Sequence, residues 1–254
     1  MALNLYLVGI GTGNPDHVTM QAVRQLEQAE VILVPRKGSS KSDLAELRHQ
    51  ICETLLGDNA PPIIEFDLPV RDADKRYLDA VDDWHDAIAI VWQEAIESAS
   101  AVIGHVPASA GLLIWGDPSL YDSSLRIAAR LNPKPEITMI PGITSIQALT
   151  AAHKIPVNEL GAPFTITTGR QLRDRGFPAE VDTAIFMLDG QCSFTRLDMA
   201  QFDIFWGAYL GMKEEIICAG RLDKVAAQII EMRAVARAQH GWIMDCYLLR
   251  RRHG

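Results

Sequence analysis

Cysteine is scarce in this 254-residue chain: four residues, at positions 52, 192, 218 and 246, with no Cys-x-x-Cys pair. That scatter excludes a disulfide framework and speaks against zinc or an iron–sulfur cluster. The seven histidines are dispersed, without His-x-His or His-Glu-x-x-His, so no protein-bound metal is expected. Neither a Gly-x-Ser-x-Gly elbow nor a lysine-bearing phosphate loop is present, which removes the common hydrolase and kinase signatures. Basic charge is also short: 24 Lys and Arg against 32 Asp and Glu leave a net charge of -8. Nucleic acid and anionic membranes are therefore disfavoured as partners. One basic run, "LLRRRHG" at the end of the chain, reads as a solvated tail. No apolar run is long enough for a membrane span, and "MALNLYLVGIGTG" lacks a basic leader, so the expectation is a cytoplasmic protein with no membrane contact.

What is present in quantity is core. Hydrophobic residues make up 48% of the chain, ample for one large or two modest α/β domains. Leu3 to Ile10 reads as a strand and "GTGNPDHVT" as a polar turn. Met20, Val23, Leu26 and Ala29 recur at helical spacing before a second apolar run, Val31 to Val34, giving a β-α-β start. A helix opens near Asp43, with Glu46 placed as in a capping box, and closes at Gly57. Ile63 to Phe66 follows as a strand, and the stretch from Asp74 to Ala99, free of Gly and Pro, is helical. Its Trp84, His85 and Trp92 are expected to pack a core, with cofactor contact as the rival role. A strand ending at Trp115, a helix from about Ser119 to Leu131 and a strand from Ile137 to Ile140 complete an alternating half. Pro141 and Gly142 then mark the domain boundary, dividing the chain into 1–141 and 142–254. Beyond it, Phe164 to Thr167, Thr183 to Leu188, Phe205 to Leu210 and Trp242 to Leu249 read as strands and Leu222 to Arg233 as a helix, a pattern that suggests a mixed sheet.

Three turns carry the chemistry. "VGIGTGN" places Gly9, Gly11 and Gly13 between a strand and a helix, but the spacing is not Gly-x-Gly-x-x-Gly, and "VPRK" stands where an acidic residue would end the second strand. Arg36 and Lys37 keep an NADP reading open; a tight turn needing small residues explains the glycines equally. In "LLIWGDPSLYDSS", Gly116 allows close backbone approach and Pro118 sets the turn. Asp117 either offers a carboxylate to a ligand or caps a helix. In "PGITSIQ", Thr144 and Ser145 are placed to cap a helix or to bind a ligand. Two such turns at strand ends of one α/β half point to a ligand cleft.

Taken together, "LYLVGIGTGNPDHVT", "WGDPSLY", "IPGITSIQALTAA", "AIFMLDG" and "GAYLGMKEEIICAGRL" resemble the tetrapyrrole methylase family in order and spacing over nearly the whole chain. In that family the first segment reads Val-Gly-x-Gly-Pro-Gly-Asp-Pro, and Thr12 and Asn14 depart from it. The resemblance implies two α/β domains with S-adenosylmethionine in the interdomain cleft, and a homodimer. Carried over motif by motif, it assigns cofactor contacts to Gly116, Asp117, Leu120 and Tyr121 from the first domain and to Thr144 and Ser145 at the turn. Met187, Tyr209 and Leu210 would reach the cofactor from the second domain, and the first glycine loop would face a substrate trough. The insertion from Asp74 to Ala99 and the ending "IMDCYLLRRR" resemble the branch that methylates precorrin-5 at C-1. That reaction releases acetate and leaves S-adenosylhomocysteine. A sibling methylase acting on uroporphyrinogen III or on RNA, an NADP-dependent oxidoreductase and a non-catalytic tetrapyrrole-binding protein are the alternatives.

Methyl transfer from a sulfonium needs alignment and a dry cleft more than a strong base, since proximity alone supplies effective molarities of about 10⁵ M or more. Acetyl removal differs, because water must attack a carbonyl and lose a proton. The candidates for that proton are Asp16, His17, Tyr121 and Asp122; capping the next helix is the other role for Asp16 and His17. Arg36, Arg71, Arg126 and Arg170 are the candidates for binding substrate carboxylates.

Overall fold

The computed structural model describes residues 2–36, 42–69 and 77–253. The chain divides into two compact units, Met1–Thr144 and Ser145–Gly254.

In the first unit every strand follows a helix or precedes one: β1 Asn4–Gly9, α1 Met20–Glu27, β2 Val31–Arg36, α2 Ser42–Leu56, β3 Ile63–Asp67, α3 Tyr77–Ser98, α4 Ser100–Ile103, β4 Ser109–Ile114, α5 Ser124–Ala128 and β5 Glu136–Ile140. The strands form one sheet in the order β3-β2-β4-β1-β5, all pairs parallel. Strands covered on both faces must be apolar throughout, and β4, at the centre, is buried at every position. On one face Leu5, Leu7, Leu33, Leu112 and Ile114 pack with Ile88, Trp92 and Ile96 of α3. On the other, Val8, Ile10, Ile32, Val34 and Leu113 pack with Ala22 and Leu26 of α1 and with Ile51 and Leu56 of α2. Trp92 is therefore core, Trp84 packs at its edge with Nε1 donating to the Pro69 carbonyl at 2.7 Å, and His85 is buried. The cofactor role for these three residues falls away.

One expectation needs correction here. The helix read from Ser119 to Leu131 begins only at Ser124 and ends at Ala128. Tyr121 has a left-handed backbone, φ 52°, which no right-handed helix accommodates, and Asp122 Oδ1 accepts from Ser124 N at 2.6 Å just where the helix starts. The side chains of Asp43, read as a helix start, and of Tyr77 and Leu78 lie outside what the structure describes, as do the residues Lys37 and Arg71.

The second unit contains α6 Ser145–His153, β6 Phe164–Thr168, α7 Gly169–Arg175, β7 Thr183–Met187, β8 Phe202–Ala208, β9 Ile216–Arg221, α8 Leu222–His240 and β10 Asp245–Arg251. Its sheet runs β6-β7-β10-β8-β9, with β6 and β7 parallel and the remaining pairs antiparallel, the expected mixed sheet. The sequence reading passed over α7 and β9. Leu172 and Gly169 are the buried residues of α7, and β9 is an edge strand of half-buried and exposed residues, so neither shows a strong hydrophobic period.

The basic ending is not a solvated tail. β10 lies between β7 and β8, so its arginines must find partners. Arg250 donates to the carbonyls of Pro156 and Val157 at 3.0 and 3.2 Å, and its Nη1 lies 2.9 Å from Glu159. Arg251 lies over the rings of Phe177 and Phe202 at 5.0 and 5.3 Å.

Candidate functional site

The carboxyl ends of β1, β4 and β5 meet backbone to backbone. A Cβ on Gly9 would stand 2.7 Å from both the Gly116 oxygen and the Gly142 nitrogen, and one on Gly142 would stand 2.0 Å from the Gly116 oxygen. Only glycines permit this approach. Gly11 and Gly116 exchange backbone hydrogen bonds, Gly116 N to Gly11 O at 2.7 Å and the reverse at 3.4 Å. These contacts account for Gly9 and Gly11 without a pyrophosphate. Arg36 forms surface ion pairs with Glu65 at 3.3 Å and Asp67 at 3.1 Å.

Asp117 bolts this junction together. Its Oδ1 accepts from Ser119 N at 2.8 Å and from the Ser119 hydroxyl, and Oδ2 accepts from Gly142 N at 2.9 Å. Burial by itself raises a carboxyl. Here the hydrogen bonds from the Ser119 side chain, Gly142 N–H and Ser119 N–H outweigh it and hold Asp117 below the usual carboxylate range. Among the described residues three donors reach a group with about four lone-pair sites, which leaves Oδ2 able to take one more, such as a ribose hydroxyl or an ammonium. Leu120 N closes the turn on Asp117 O at 3.1 Å. Behind it, Arg48 of α2 donates Nε to the Leu113 carbonyl at 3.2 Å and lies 4.8 Å from the Trp115 ring. Burial lowers its guanidinium to about 10, opposed by the charge of Asp122. Arg48 stays protonated at neutral pH and pins the end of β4; only its neighbours in space reveal this role.

In the first loop, Asn14 Oδ1 accepts from Asp16 N at 2.9 Å and Val18 N bonds Pro15 O, folding Pro15–His17 into one 3₁₀ turn. Thr19, not Asp16 or His17, caps α1, its hydroxyl accepting from Ala22 N at 3.1 Å. Asp16 is exposed, whereas the His17 ring is held by Thr12, with Oγ1 2.8 Å from Nδ1. Tyr121 is partly exposed, and desolvation raises its phenol, so it remains a proton donor. Asp122 is used as the cap of Ser124, and Arg126 Nη2 donates to the Asp122 carbonyl at 2.9 Å. Arg170 is exposed on α7, and Thr144 is buried at the end of the first unit.

In the second unit Ser145 opens α6, and its carbonyl accepts from Cys246 Sγ at 3.7 Å. Met187 ends β7 half-buried, and Leu188, with φ 55°, is 67% exposed. Tyr209 also has a left-handed backbone, φ 51°, but its ring is buried edge-on to His240 and Trp242 and its hydroxyl donates to the Trp242 carbonyl at 2.5 Å. Its side chain therefore serves the fold, and Leu210 beside it is buried. Tyr121, Lys154, Leu188, Cys192 and Tyr209 are non-glycine residues with a left-handed backbone, and Leu188 and Tyr209 directly follow the last residues of β7 and β8. Such strain collects at ligand sites, where surrounding structure enforces it.

The chain matches the model of the tetrapyrrole (corrin/porphyrin) methylases over residues 4–226. It belongs to the tetrapyrrole methylase family. This methylase is 43% identical over 252 residues to precorrin-6A synthase (deacetylating) of Sinorhizobium sp, covering 97% of this chain and 95% of that one. Among solved structures it is similar to a cobalamin synthesis related protein (CobF) from Corynebacterium diphtheriae, with 34% identity, TM-score 0.80 and coverage of 98% and 99%. The fold is also that of uroporphyrin-III C-methyl transferase from Thermus thermophilus, solved with S-adenyl homocysteine, at 19% identity, TM-score 0.57 and coverage of 97% and 96%. The dinucleotide reading of the first glycine loop is thereby overturned. Among the described residues of this methylase, no three His, Cys, Asp or Glu side chains gather as a metal site, and no helix is long and apolar enough to cross a membrane.

Proposed function

We propose that this methylase carries out the precorrin-6A synthase reaction, transferring a methyl group from S-adenosylmethionine to C-1 of precorrin-5 and releasing the acetyl group as acetate. The observation that carries the reading is the 43% identity, end to end, with a deacetylating precorrin-6A synthase. A homodimer in a reducing cytoplasm belongs to the same reading, in keeping with four cysteines that are all free thiols.

The residues suit the cofactor. Asp117 retains acceptor capacity at a junction of strand ends, and Tyr121, Leu188 and Tyr209 each have a strained backbone. Gly116, Asp117, Leu120, Tyr121 and Thr144 would hold it from the first unit; Ser145, Met187 and the backbone at Tyr209 and Leu210 would do so from the second. When bound, S-adenosylmethionine supplies an electrophilic methyl group on a sulfonium.

The chain's own chemistry is hydrolytic. His17, oriented through Nδ1 by Thr12, presents Nε2 as the general base. It would take a proton from water as the oxygen adds to the acetyl carbonyl. Collapse of that adduct breaks the bond to C-1, frees acetic acid and leaves the electron pair on C-1 as the nucleophile for methylation. Tyr121, kept protonated, would donate a hydrogen bond, and Asp16 is the weaker base candidate because no hydrogen bond among the described residues orients its exposed carboxylate.

Titration with S-adenosylhomocysteine, run beside NADP, tests the cofactor. Methylation and acetate assays on precorrin-5 test the reaction. His17→Ala should lower acetate release by about 10²-fold or more while leaving S-adenosylhomocysteine affinity unchanged. Undiminished release in an Asp16→Ala, His17→Ala double variant would remove this loop from the chemistry.

A further inference from the structure

The second unit contains a carboxylate that the sequence motifs did not single out. Asp189 follows the strained, exposed Leu188, yet is itself only 6% exposed. Four donors converge on it. Oδ1 accepts from Gln191 N at 3.1 Å and the Ser193 hydroxyl at 2.9 Å; Oδ2 accepts from Ser193 N at 2.6 Å and the Tyr247 hydroxyl at 2.7 Å. These fill the lone-pair sites of a carboxylate. Tyr247 is fixed in turn by β10, stacked on Phe186 at 5.2 Å and edge-on to Phe194 at 5.3 Å.

The backbone of Asp189 is held as well. Arg233 of α8 donates Nη2 to its carbonyl at 3.2 Å while Nε meets Asp245 Oδ2 at 2.9 Å, and Trp206 Nε1 donates to the same oxygen at 3.0 Å. Space is tailored to the carboxylate too: a Cβ on Gly169, at the start of α7, would fall 2.2 Å from Asp189 Cγ. Residues from α7, α8 and β10 thus converge on one short turn. Directly before Asp189, Leu188 is 67% exposed, next to Met187.

We propose that Asp189 is a positioning residue for the cofactor: clamped by Ser193, Gln191 and Tyr247 and admitted by Gly169, it holds Leu188 in its left-handed conformation and so fixes the end of β7 at Met187. The inference rests on the reading that Met187 contacts S-adenosylmethionine. Asp189 does not touch the cofactor and acts only through the turn.

Asp189→Asn is the discriminating change. An asparagine amide nitrogen must replace one oxygen, and in either flip it confronts a backbone N–H, that of Gln191 on one side or Ser193 on the other. Titration with S-adenosylhomocysteine separates the outcomes, because affinity and the number of sites are read independently. Positioning predicts a Kd raised about tenfold or more at unchanged stoichiometry, with KM for S-adenosylmethionine rising more than kcat falls. A purely structural role predicts fewer sites of unaltered Kd, and that result overturns the proposal. Should Asp189→Asn fail to fold, two milder variants decide by the same criterion. Tyr247→Phe removes one donor of four, and Gly169→Ala displaces the carboxylate from outside the turn. Wild-type protein that binds no S-adenosylhomocysteine would sink the cofactor reading itself, and the positioning role with it.

Discussion

Gly142 and Gly57 illustrate how little a residue type says without its surroundings. An alanine at Gly142 would drive its Cβ to 2.0 Å from the Gly116 oxygen, whereas one at Gly57, φ 51°, meets nothing within 4 Å. Gly142→Ala should cost about 3 kcal/mol or more, and Gly57→Ala only the roughly 1 kcal/mol of a left-handed alanine; denaturant melts of the two variants give the ordering. Asp117 adds a pH signature. Its native carboxyl sits below its unfolded value despite the opposing effect of burial. The stabilisation is therefore fully present above the unfolded pKa, about 4, and is lost as pH falls through the native value. The melting-temperature gap between wild type and Asp117→Asn should accordingly narrow below about pH 4. The thiols divide by burial. Burial pushes Cys52 up to about 11 and Cys246 to about 12. Neither should react with a thiol reagent at pH 8 in the native state, while the half-buried Cys192 and Cys218 react slowly.

At the scale of elements, the strands and helices with a strong apolar period were legible, and those that draw their stability from neighbours were not. β1, α1, β2, α2, β3 and β5 stand close to where the hydrophobic spacing puts them, because each buries one or two faces of its own. α5 is shorter than its sequence suggests because Tyr121 takes a backbone conformation that the Gly-Asp-Pro turn imposes. β10 shows the same limit at the other end of the chain. Three arginines look solvated in isolation, but the strand is central, and its pairing extends through Arg251 opposite Phe202. Truncation after Leu249 removes the Arg250 contacts to Pro156, Val157 and Glu159 and the Arg251 cover on Phe177 and Phe202. It should cost about 2–4 kcal/mol, against no change for a free tail; a thermal melt of the truncated chain distinguishes them.

For the whole molecule, two units of separate architecture invite a test in which the ligand reports on both. S-adenosylhomocysteine at a hundredfold excess over Kd should stabilise the native state by about 2.7 kcal/mol, and NADP should not. Calorimetry should show every unfolding transition moving upward if both units hold the cofactor, whereas a ligand bound by one unit moves one. The chain's local patterns were sufficient for the class of the fold, the mixed second sheet and the turns where strands end, because hydrophobic periodicity and the backbone demands of Gly and Pro act over a few residues. Only the tertiary structure decided what those turns do. It brought Gly9, Gly116 and Gly142 into contact, gave Asp117 to Gly142, gave the His17 ring to Thr12 and surrounded Asp189 with Ser193 and Tyr247. The contacts among Gly9, Gly116 and Gly142, of Asp117 with Gly142 and of Asp189 with Tyr247 join residues far apart in the chain, with partners set by the packing of whole elements, which no local pattern in a single sequence encodes.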